Sequence, residues 1–211
     1  MSFSYPGLSS GASIIGVSGS PSPVSKTASL VDHVLQRLGR SDPEQHLRLA
    51  QLDPASLLRG DPENPSFKRA VELMENAEGV VIATPIFKAS FSGLLKSFLD
   101  VLPQFGLAGK IVLPLATGGS PAHVLALDYA LRPVLQSMGA RHIVQAVFVN
   151  ASHLQIDEGS LKISPESAAL LDEAVLHFGF ALRGAVNSPE LLGHPRPVRS
   201  VPNPVLSTAT S

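Results

Sequence analysis

Residues 12–29 of the chain read Ala-Ser-Ile-Ile-Gly-Val-Ser-Gly-Ser-Pro-Ser-Pro-Val-Ser-Lys-Thr-Ala-Ser. The apolar run from Ser13 to Val17 predicts a buried β-strand, and the helical spacing of apolar residues from Thr27 to Leu38 predicts a helix. A loop of small hydroxyl residues joins the two. The first N–H groups of a helix have no partner within it, and the helix dipole favours negative charge there. The stretch is therefore typical of an α/β fold that holds a phosphate.

This loop differs from a nucleotide P-loop. A P-loop has the pattern G-x-x-x-x-G-K-[ST], whereas the matching frame at residues 20–27 has serine at both glycine positions. Pro21 and Pro23 also lack the backbone N–H groups that such a loop would use. Hydroxyl groups could replace those donors, which favours a monophosphate over a triphosphate with magnesium. The alternative is that Ser25 or Thr27 does no more than cap the helix.

The composition excludes several classes of function. The 211 residues are 44% hydrophobic and 16% charged, which predicts a globular chain with a sizeable core. A net charge of −1 gives no reason to expect nucleic acid or an anionic membrane as a partner. The absence of cysteine excludes thiolate chemistry, and the seven histidines show no metal-ligand spacing, so no metal site is expected. No signal peptide or membrane span is evident, and we expect a cytoplasmic protein.

Strand-like and helix-like segments alternate five times along the chain. The strands are apolar on both faces, which predicts a parallel sheet covered by helices on each side. The predicted strands span residues 13–17, 46–49, 79–83, 111–116 and 142–149. The expected organisation is an N-terminal arm at 1–11, one domain at 12–183 and a Pro-rich tail at 184–211.

The connecting segments carry further predictions. Residues 122–138 predict one long helix that Pro133 kinks, and residues 165–183 predict the last helix. Residues 51–66 are rich in proline and predict a long loop, with a turn of helix near Ser56. The chain between the fifth strand and the last helix is expected to be irregular.

Three loops, at residues 18–25, 84–92 and 117–121, leave the carboxyl ends of predicted strands. Ligands of doubly wound sheets bind at that edge, so these loops are the candidate binding wall. The second loop contains Phe87 and Phe91. Phe87 could pack against a ring system, although an ordinary core position is the simpler interpretation for either aromatic residue.

The third loop reads Thr117-Gly118-Gly119-Ser120, and its glycines would let the backbone approach a flat ligand closely. A helix start with Ser120 as N-cap and Pro121 at the first position is equally consistent with it. His123 follows nearby, where a solvated or capping role is expected. The sequence shows no evident acid, base or nucleophile, which favours chemistry that a cofactor supplies.

Four segments carry a family resemblance. They are Gly-Ser-Pro-x-x-x-Ser-Lys-Thr (19–27), Ala-Thr-Pro-Ile-Phe-Lys-Ala-Ser-Phe-Ser-Gly-Leu-Leu-Lys-Ser-Phe-Leu-Asp (83–100), Pro-Leu-Ala-Thr-Gly-Gly-Ser-x-Ala-His (114–123) and Leu-Asp-Tyr-Ala-Leu-Arg-Pro-Val-Leu (127–135). They resemble the flavodoxin-like NAD(P)H-dependent FMN reductases, above all the reductase component of two-component alkanesulfonate monooxygenases. The resemblance implies a doubly wound five-stranded parallel sheet in the order 2-1-3-4-5.

The resemblance also assigns roles to residues. It implies that the FMN phosphate is held by Ser20, Ser25, Lys26 and Thr27. It implies that the ribityl chain and ring are lined by Pro85, Ile86, Phe87, Lys88, Ser90, Ser92 and Gly93, and the edge of the isoalloxazine by Thr117, Gly118, Gly119 and Ser120. Tyr129 matches a tyrosine in a π-helical bulge at the subunit interface, which is tied to the use of FMN as a released substrate. Phe87 stands where the family often has tyrosine, so a hydroxyl contact is lost there.

The implied function is hydride transfer from NADPH or NADH to FMN, with no catalytic side chain. The implied assembly is a homodimer or homotetramer, and the reduced FMN is expected to serve a flavin-dependent monooxygenase of sulfur assimilation. One alternative is a quinone or azo-dye reductase with fixed FMN, which Tyr129 disfavours. Another is a flavodoxin-type electron carrier without turnover, which the net charge of −1 disfavours because such carriers dock through acidic surfaces.

Overall fold

Five parallel strand positions form the central sheet of the computed structural model, which describes residues 12–61 and 63–187. The strands are β1 (Ile14–Ser18), β2 (His46–Arg48), β3 (Gly79–Phe87), β4 (Ser90–Phe91), β5 (Ile111–Gly118), β6 (His142–Ile143) and β7 (Val147–Asn150). β6 and β7 both pair with β5, and together they make the fifth position, while β4 pairs antiparallel with the end of β3. The order β2-β1-β3-β5-β6/β7 confirms the flavodoxin-like order 2-1-3-4-5.

Helices cover both faces of this sheet. They are α1 (Lys26–Arg37), α2 (Pro54–Arg59), α3 (Pro65–Asn76), α4 (Gly93–Val101), α5 (Arg132–Ser137) and α6 (Pro165–Asn187). α1 and α6 pack on one face and α2 to α5 on the other, so two apolar clusters form the core. Alternation along β3 divides its residues between them: Val80 and Ile82 join one cluster, and Val81 and Ala83 join the other.

The predicted long helix at 122–138 is wrong as a continuous α-helix. The segment consists of a 3₁₀ turn at Pro121–His123, a π-helical turn at Leu127–Leu131 and then α5. The N–H of Arg132 donates to the carbonyl of Leu127, five residues back. Pro133 has no N–H, and its ring would clash with the carbonyl four residues before it in an α-helix. The wider π-helical turn just ahead of Pro133 removes that conflict.

Other boundaries also differ from the sequence prediction. In the segment at 51–66, the predicted turn of helix near Ser56 is confirmed as α2, and α3 begins at Pro65, so less of the segment is loop than expected. The stretch expected to be irregular forms a hairpin of β8 (Leu154–Asp157) and β9 (Ser160–Ile163). Helix α6 continues to Asn187, so the predicted domain end at 183 falls inside it. The arm at 1–11 and residues 188–211 of the predicted tail lie outside the described residues.

Candidate flavin-binding site

The first loop leads from β1 to a capped helix. Ser25 is the N-cap of α1, and its Oγ accepts the N–H of Ala28 at 3.1 Å. The N–H of Ser22 donates to Ser20 Oγ at 3.3 Å, and the side chains of Ser20 and Ser25 are both buried. The capping interpretation of Ser25 is therefore confirmed. Each hydroxyl still keeps its own hydrogen to donate, so a cap and a phosphate donor are compatible at the same residue.

Two side chains at the start of α1 make hydrogen bonds to residues at or just after the carboxyl ends of the neighbouring strands β5 and β7. Lys26 Nζ donates to the carbonyl of Ala151 at 2.7 Å. The Oγ1 atoms of Thr27 and Thr117 lie 2.6 Å apart in a buried hydrogen bond. The first and third loops are thus joined directly by two hydroxyl groups that the sequence places 90 residues apart.

The second loop is joined to the first by Ser92, the N-cap of α4. Ser92 Oγ donates to the carbonyl of Gly19 at 2.5 Å and accepts the N–H of Leu95 at 3.1 Å. The N–H of Ser92 donates to Thr84 Oγ1 at 2.9 Å. A Cβ on Gly19 would lie 2.7 Å from Leu95 Cβ, so only glycine allows this close approach. Ser92 therefore holds the two loops in contact.

Much of the segment predicted as the second loop is strand. β3 runs on to Phe87, turns through Lys88 and Ala89, and returns as β4. Both turn residues have positive φ, 50° for Lys88 and 60° for Ala89, although neither is glycine. Phe87 is 51% exposed, which contradicts a core position for it, whereas Phe91 is half-buried and packs on a core cluster. Phe87 is accordingly available to a ligand at this edge.

The two glycines of the third loop differ in the space around them: a side chain would clash at Gly118 but not at Gly119. A Cβ on Gly118 would lie 2.9 Å from the ring of Phe148, so this position has no room for a side chain. Nothing lies within 4 Å of a Cβ built on Gly119. Ser120 caps the following turn and Pro121 occupies its first position, which confirms the helix-start interpretation. The space beside Gly119 leaves the backbone of the loop open to a flat ligand.

The solvated or capping role expected for His123 does not extend to its Nδ1. Its side chain is half-buried, and its Nδ1 is buried without a hydrogen-bond partner. This nitrogen lies beside the third loop, 3.4 Å from a Cβ built on Gly118. The position of His123 three residues after Ser120 in the sequence is the signal that places it beside the third loop.

Sequence reasoning missed a polar network below the first loop. His46 is buried, its Nε2 lies 2.9 Å from Ser18 Oγ, and its Nδ1 lies 2.7 Å from Asp32. Arg48 binds the other carboxylate oxygen of Asp32 at 2.5 Å. Burial alone would raise the pKa of Asp32, but the hydrogen bonds and charges of His46 and Arg48 outweigh it and hold that pKa below its ordinary value. No sequence motif marks these residues, because strand pairing brings them together.

The Ser18–His46–Asp32 chain has the connectivity of a hydrolase triad but not its accessibility. Ser18 is only 2% exposed, so its hydroxyl cannot reach a substrate carbonyl. A carboxylate only accepts hydrogen bonds, so His46 donates from Nδ1 to Asp32, and its Nε2 shares the second hydrogen bond with Ser18 Oγ. The network therefore fixes the end of β1 from which the first loop starts.

An apolar groove adjoins the same edge. It has a volume of about 440 Å³ and runs from Pro21 in the first loop to Gly93 and Leu94 at the start of α4. Leu57 and Leu58 of α2 form its opposite wall. The groove extends the site towards α2 with an apolar surface.

The structure thus brings three of the predicted segments to one edge. The carboxyl ends of β1, β3 and β5 are neighbours in the sheet, and side-chain hydrogen bonds of Thr27 and Ser92 connect their loops. Tyr129 lies in the π-helical turn, which packs against β4 of the second loop, and its side chain is 79% exposed. The part of the chain that the structure describes has no group of three or more histidine or acidic side chains placed to hold a metal ion. No helix within residues 12–187, Pro62 aside, is long and apolar enough to span a membrane.

A doubly wound parallel sheet whose carboxyl edge carries hydroxyl-rich and glycine-rich loops defines the flavodoxin-like class of α/β proteins. The family model described as NADPH-dependent FMN reductase matches residues 12–154, and the chain belongs to this family. It is an oxidoreductase that uses FMN and NAD(P)H.

Individual relatives agree with this placement. The chain is 40% identical over 181 residues to the FMN reductase (NADPH) of Escherichia coli K12, which covers 85% of this chain and 95% of that protein. It is 30% identical over 153 residues to the NADH-dependent FMN reductase SfnE of Pseudomonas putida, covering 70% and 81% of the two chains. The apo crystal structure of the NADH:FMN oxidoreductase EMOB superposes with a TM-score of 0.77 at 52% identity, covering 88% of this chain and 97% of that one.

Proposed function

We propose that the chain takes up free FMN, reduces it with NADPH or NADH, and releases the reduced flavin. The observation that carries the released-substrate role is the π-helical turn at Leu127–Leu131 with Tyr129 exposed on it. Single π-helical turns within helices frequently lie at functional sites. The names of the relatives include both NADPH and NADH, so both donors are retained for this chain.

The first loop suits the phosphate of FMN. The hydroxyl groups of Ser25 and Thr27 lie at the N-terminus of α1, where the helix dipole favours an anion, and Ser20 lies in the loop that precedes it. Lys26 adds a positive charge at the same place and reaches across to Ala151. Three hydroxyls and one cation match a monophosphate better than a triphosphate, which would require more charge or a metal ion.

The second and third loops suit the ribityl chain and the ring. Residues 85–88 with Ser90, Ser92 and Gly93 would line the ribityl chain and one side of the ring, and Phe87 has the exposure needed to contact it. Residues 117–120 would face the edge of the ring, because the open side of Gly119 admits a flat group. When bound, the flavin supplies the hydride-accepting chemistry. The side chains bind and orient, and none is required to transfer a proton or form a covalent bond.

The wider role follows from the family resemblance of residues 83–135. We assign the reduced flavin to a monooxygenase partner of the alkanesulfonate type, and the chain to a homodimer or homotetramer in the cytoplasm. Val124, Leu125 and Tyr129 support an assembly, since all three are exposed apolar or aromatic side chains on one short segment.

The proposal is tested by following NADPH and NADH oxidation with and without added FMN. We expect saturable oxidation that requires free FMN and releases reduced flavin into solution. Activity with a quinone that is independent of added flavin would instead identify an enzyme with fixed FMN. A tightly held yellow flavin without NAD(P)H oxidation would identify an electron carrier.

Replacing Tyr129 with alanine tests the release function directly. We expect Tyr129→Ala to retain FMN through gel filtration and to lose most of its FMN-dependent NAD(P)H oxidation, because the residue is assigned to flavin release. Phe105→Ala is the matched control, since Phe105 is another exposed aromatic residue, far along the chain from the π-helical turn. Release of FMN from Tyr129→Ala as fast as from the control would remove Tyr129 from this role.

A further inference from the structure

His123 has an unusual feature for a half-buried side chain. Its Nδ1 is shielded from solvent and has no hydrogen-bond partner. The other buried side-chain polar atoms without a partner in the described residues are the Nε atoms of Arg37 and Arg40, whose side chains make other contacts. A buried polar atom without a partner costs about 1–3 kcal/mol, so native structures rarely leave one without a reason.

The position of this nitrogen relates it to the third loop. His123 ends the 3₁₀ turn that Ser120 caps, and its N–H donates to the carbonyl of Ser120 at 3.0 Å. Its ring and the ring of Phe148 both lie against Gly118, where a Cβ would meet them at 3.4 Å and 2.9 Å. The next residue, Gly119, has open space on its side-chain side. The unsatisfied nitrogen and the open space therefore flank the same pair of glycines.

We infer that His123 is a flavin-binding residue, whose Nδ1 donates its missing hydrogen bond to the pyrimidine edge of the isoalloxazine. This inference rests on the proposed site, in which the third loop faces the ring edge. The pyrimidine edge displays carbonyl oxygens and a ring nitrogen that accept hydrogen bonds. An imidazole N–H beside a loop of backbone donors adds one more donor of the kind that this edge requires.

The contact has a consequence for the reduced flavin. Hydride transfer from the nicotinamide to the flavin adds one proton and two electrons to the ring, and the added negative charge is shared by the N1–C2 carbonyl part of the pyrimidine edge. Hydrogen bonds to charged acceptors are about twice as strong as those to neutral ones. His123 accordingly holds reduced FMN more tightly than it holds oxidised FMN.

The direct test is NMR of the whole chain labelled with ¹⁵N-histidine, titrated with FMN and with riboflavin. We expect the Nδ1 resonance of His123 to move on binding of either flavin, because the phosphate is not involved. The resonances of the exposed His177 serve as the internal control and are expected to stay in place. Binding of FMN without any change at His123 Nδ1 would overturn the inference while leaving the proposed function intact.

Substitutions give a second, independent test. An asparagine side-chain N–H falls near the place of Nδ1, a glutamine N–H falls near that of Nε2, and phenylalanine keeps the ring without a donor. We expect His123→Phe to raise the Kd of oxidised FMN roughly threefold to tenfold and that of reduced FMN by more than about tenfold, as loss of one hydrogen bond predicts. His123→Asn should restore much of the difference and His123→Gln should not.

The controls separate the possible failures. His177→Asn should bind both forms of FMN as the wild type does. Equal loss of affinity for oxidised and reduced FMN in His123→Phe, with no recovery in His123→Asn, would show a packing role only and overturn the inference. Absence of FMN binding by the wild-type chain would remove the proposed function and this inference together.

Discussion

At the scale of single residues, Asp32 offers the clearest test of the network below the first loop. Its carboxylate accepts from both His46 and Arg48. Asp32→Asn leaves Arg48 without its ionic partner and weakens the hold on His46, so we expect the free energy of unfolding at pH 7 to fall by about 1–2 kcal/mol. Urea unfolding of both proteins measures this loss.

The pH dependence of that loss follows from the lowered pKa of Asp32. A lowered folded pKa contributes stability above the unfolded value near 3.9, and the contribution disappears as the pH falls through the folded value. The difference in unfolding free energy between the wild type and Asp32→Asn should therefore close as the pH falls below about 3.9. Asp128→Asn is the control, because its exposed pair with Arg132 should contribute about 0.5 kcal/mol or less. If the difference in unfolding free energy between the wild type and Asp32→Asn does not change with pH, the ionic role of Asp32 is contradicted.

Lys110 gives a prediction for the stability of the chain at high pH. Its ammonium group donates to the carbonyls of Glu75 and Ala77 at the end of α3, and burial lowers its pKa to about 8. Between about pH 8 and pH 10 the folded chain has released this proton while the unfolded chain still holds it, so stability rises with pH. We expect Lys110→Gln to lack this rise in urea unfolding and the exposed Lys96→Gln to keep it. The same slope in Lys110→Gln as in the wild type would show that another group causes it.

At the scale of elements, the β3–β4 turn stores backbone strain at the edge of the site. Lys88 and Ala89 both adopt positive φ, where a residue with a Cβ costs about 1–2 kcal/mol. Ala89→Gly removes part of this cost, and after the extra entropy of glycine in the unfolded chain we expect a gain of about 0.5–1 kcal/mol in urea unfolding.

The β8–β9 turn provides the control, because the reverse substitution, from glycine to alanine, can be made there. Gly159 has a φ of +80° and open space around it, so Gly159→Ala should lose about 1 kcal/mol through backbone strain alone. No gain in Ala89→Gly, alongside a clear loss in Gly159→Ala, would mean that the β3–β4 turn is held in place by contacts that compensate its strain.

The elements also show what sequence patterns can predict. Apolar strands and capped helices follow from hydrophobic spacing and from Ser25 and Ser120, and these agree with the structure, whereas the cap at Ser92 was not predicted. The division of residues 122–138 into 3₁₀, π and α segments did not follow from periodicity, because all three present similar apolar spacing over a few residues. Pro133 indicated a break, but only the family resemblance pointed to a π-helical turn.

At the scale of the whole molecule, the meeting of the three loops of the candidate site was predictable because parallel strands bring their carboxyl ends to one edge. The bonds that tie the loops, such as Thr27 to Thr117, were not, since they depend on side-chain directions at residues 90 positions apart. The orphaned Nδ1 of His123 was also out of reach, because burial of one atom is a property of packing and leaves no trace in residue spacing.

The proposed assembly is tested at the same scale. Leu125 is 57% exposed and lies between Val124 and the π-helical turn. A charge there would be buried without a partner in an interface, so Leu125→Glu should shift the chain to a smaller species in analytical ultracentrifugation. Leu170→Glu is the matched control, since Leu170 is 49% exposed on α6, on the other face of the sheet. A monomeric wild type, or equal behaviour of the two variants, would contradict an interface at this segment.

Two short hydrogen bonds, from Thr27 to Thr117 and from Ser92 to Gly19, fix the shape of the candidate binding edge before a ligand binds. A binding site that is already ordered loses little conformational entropy when a ligand binds. It can therefore orient the ligand accurately without high affinity. The proposed exchange of FMN in every cycle needs accurate placement together with fast release, and an edge that is ordered in advance supports both.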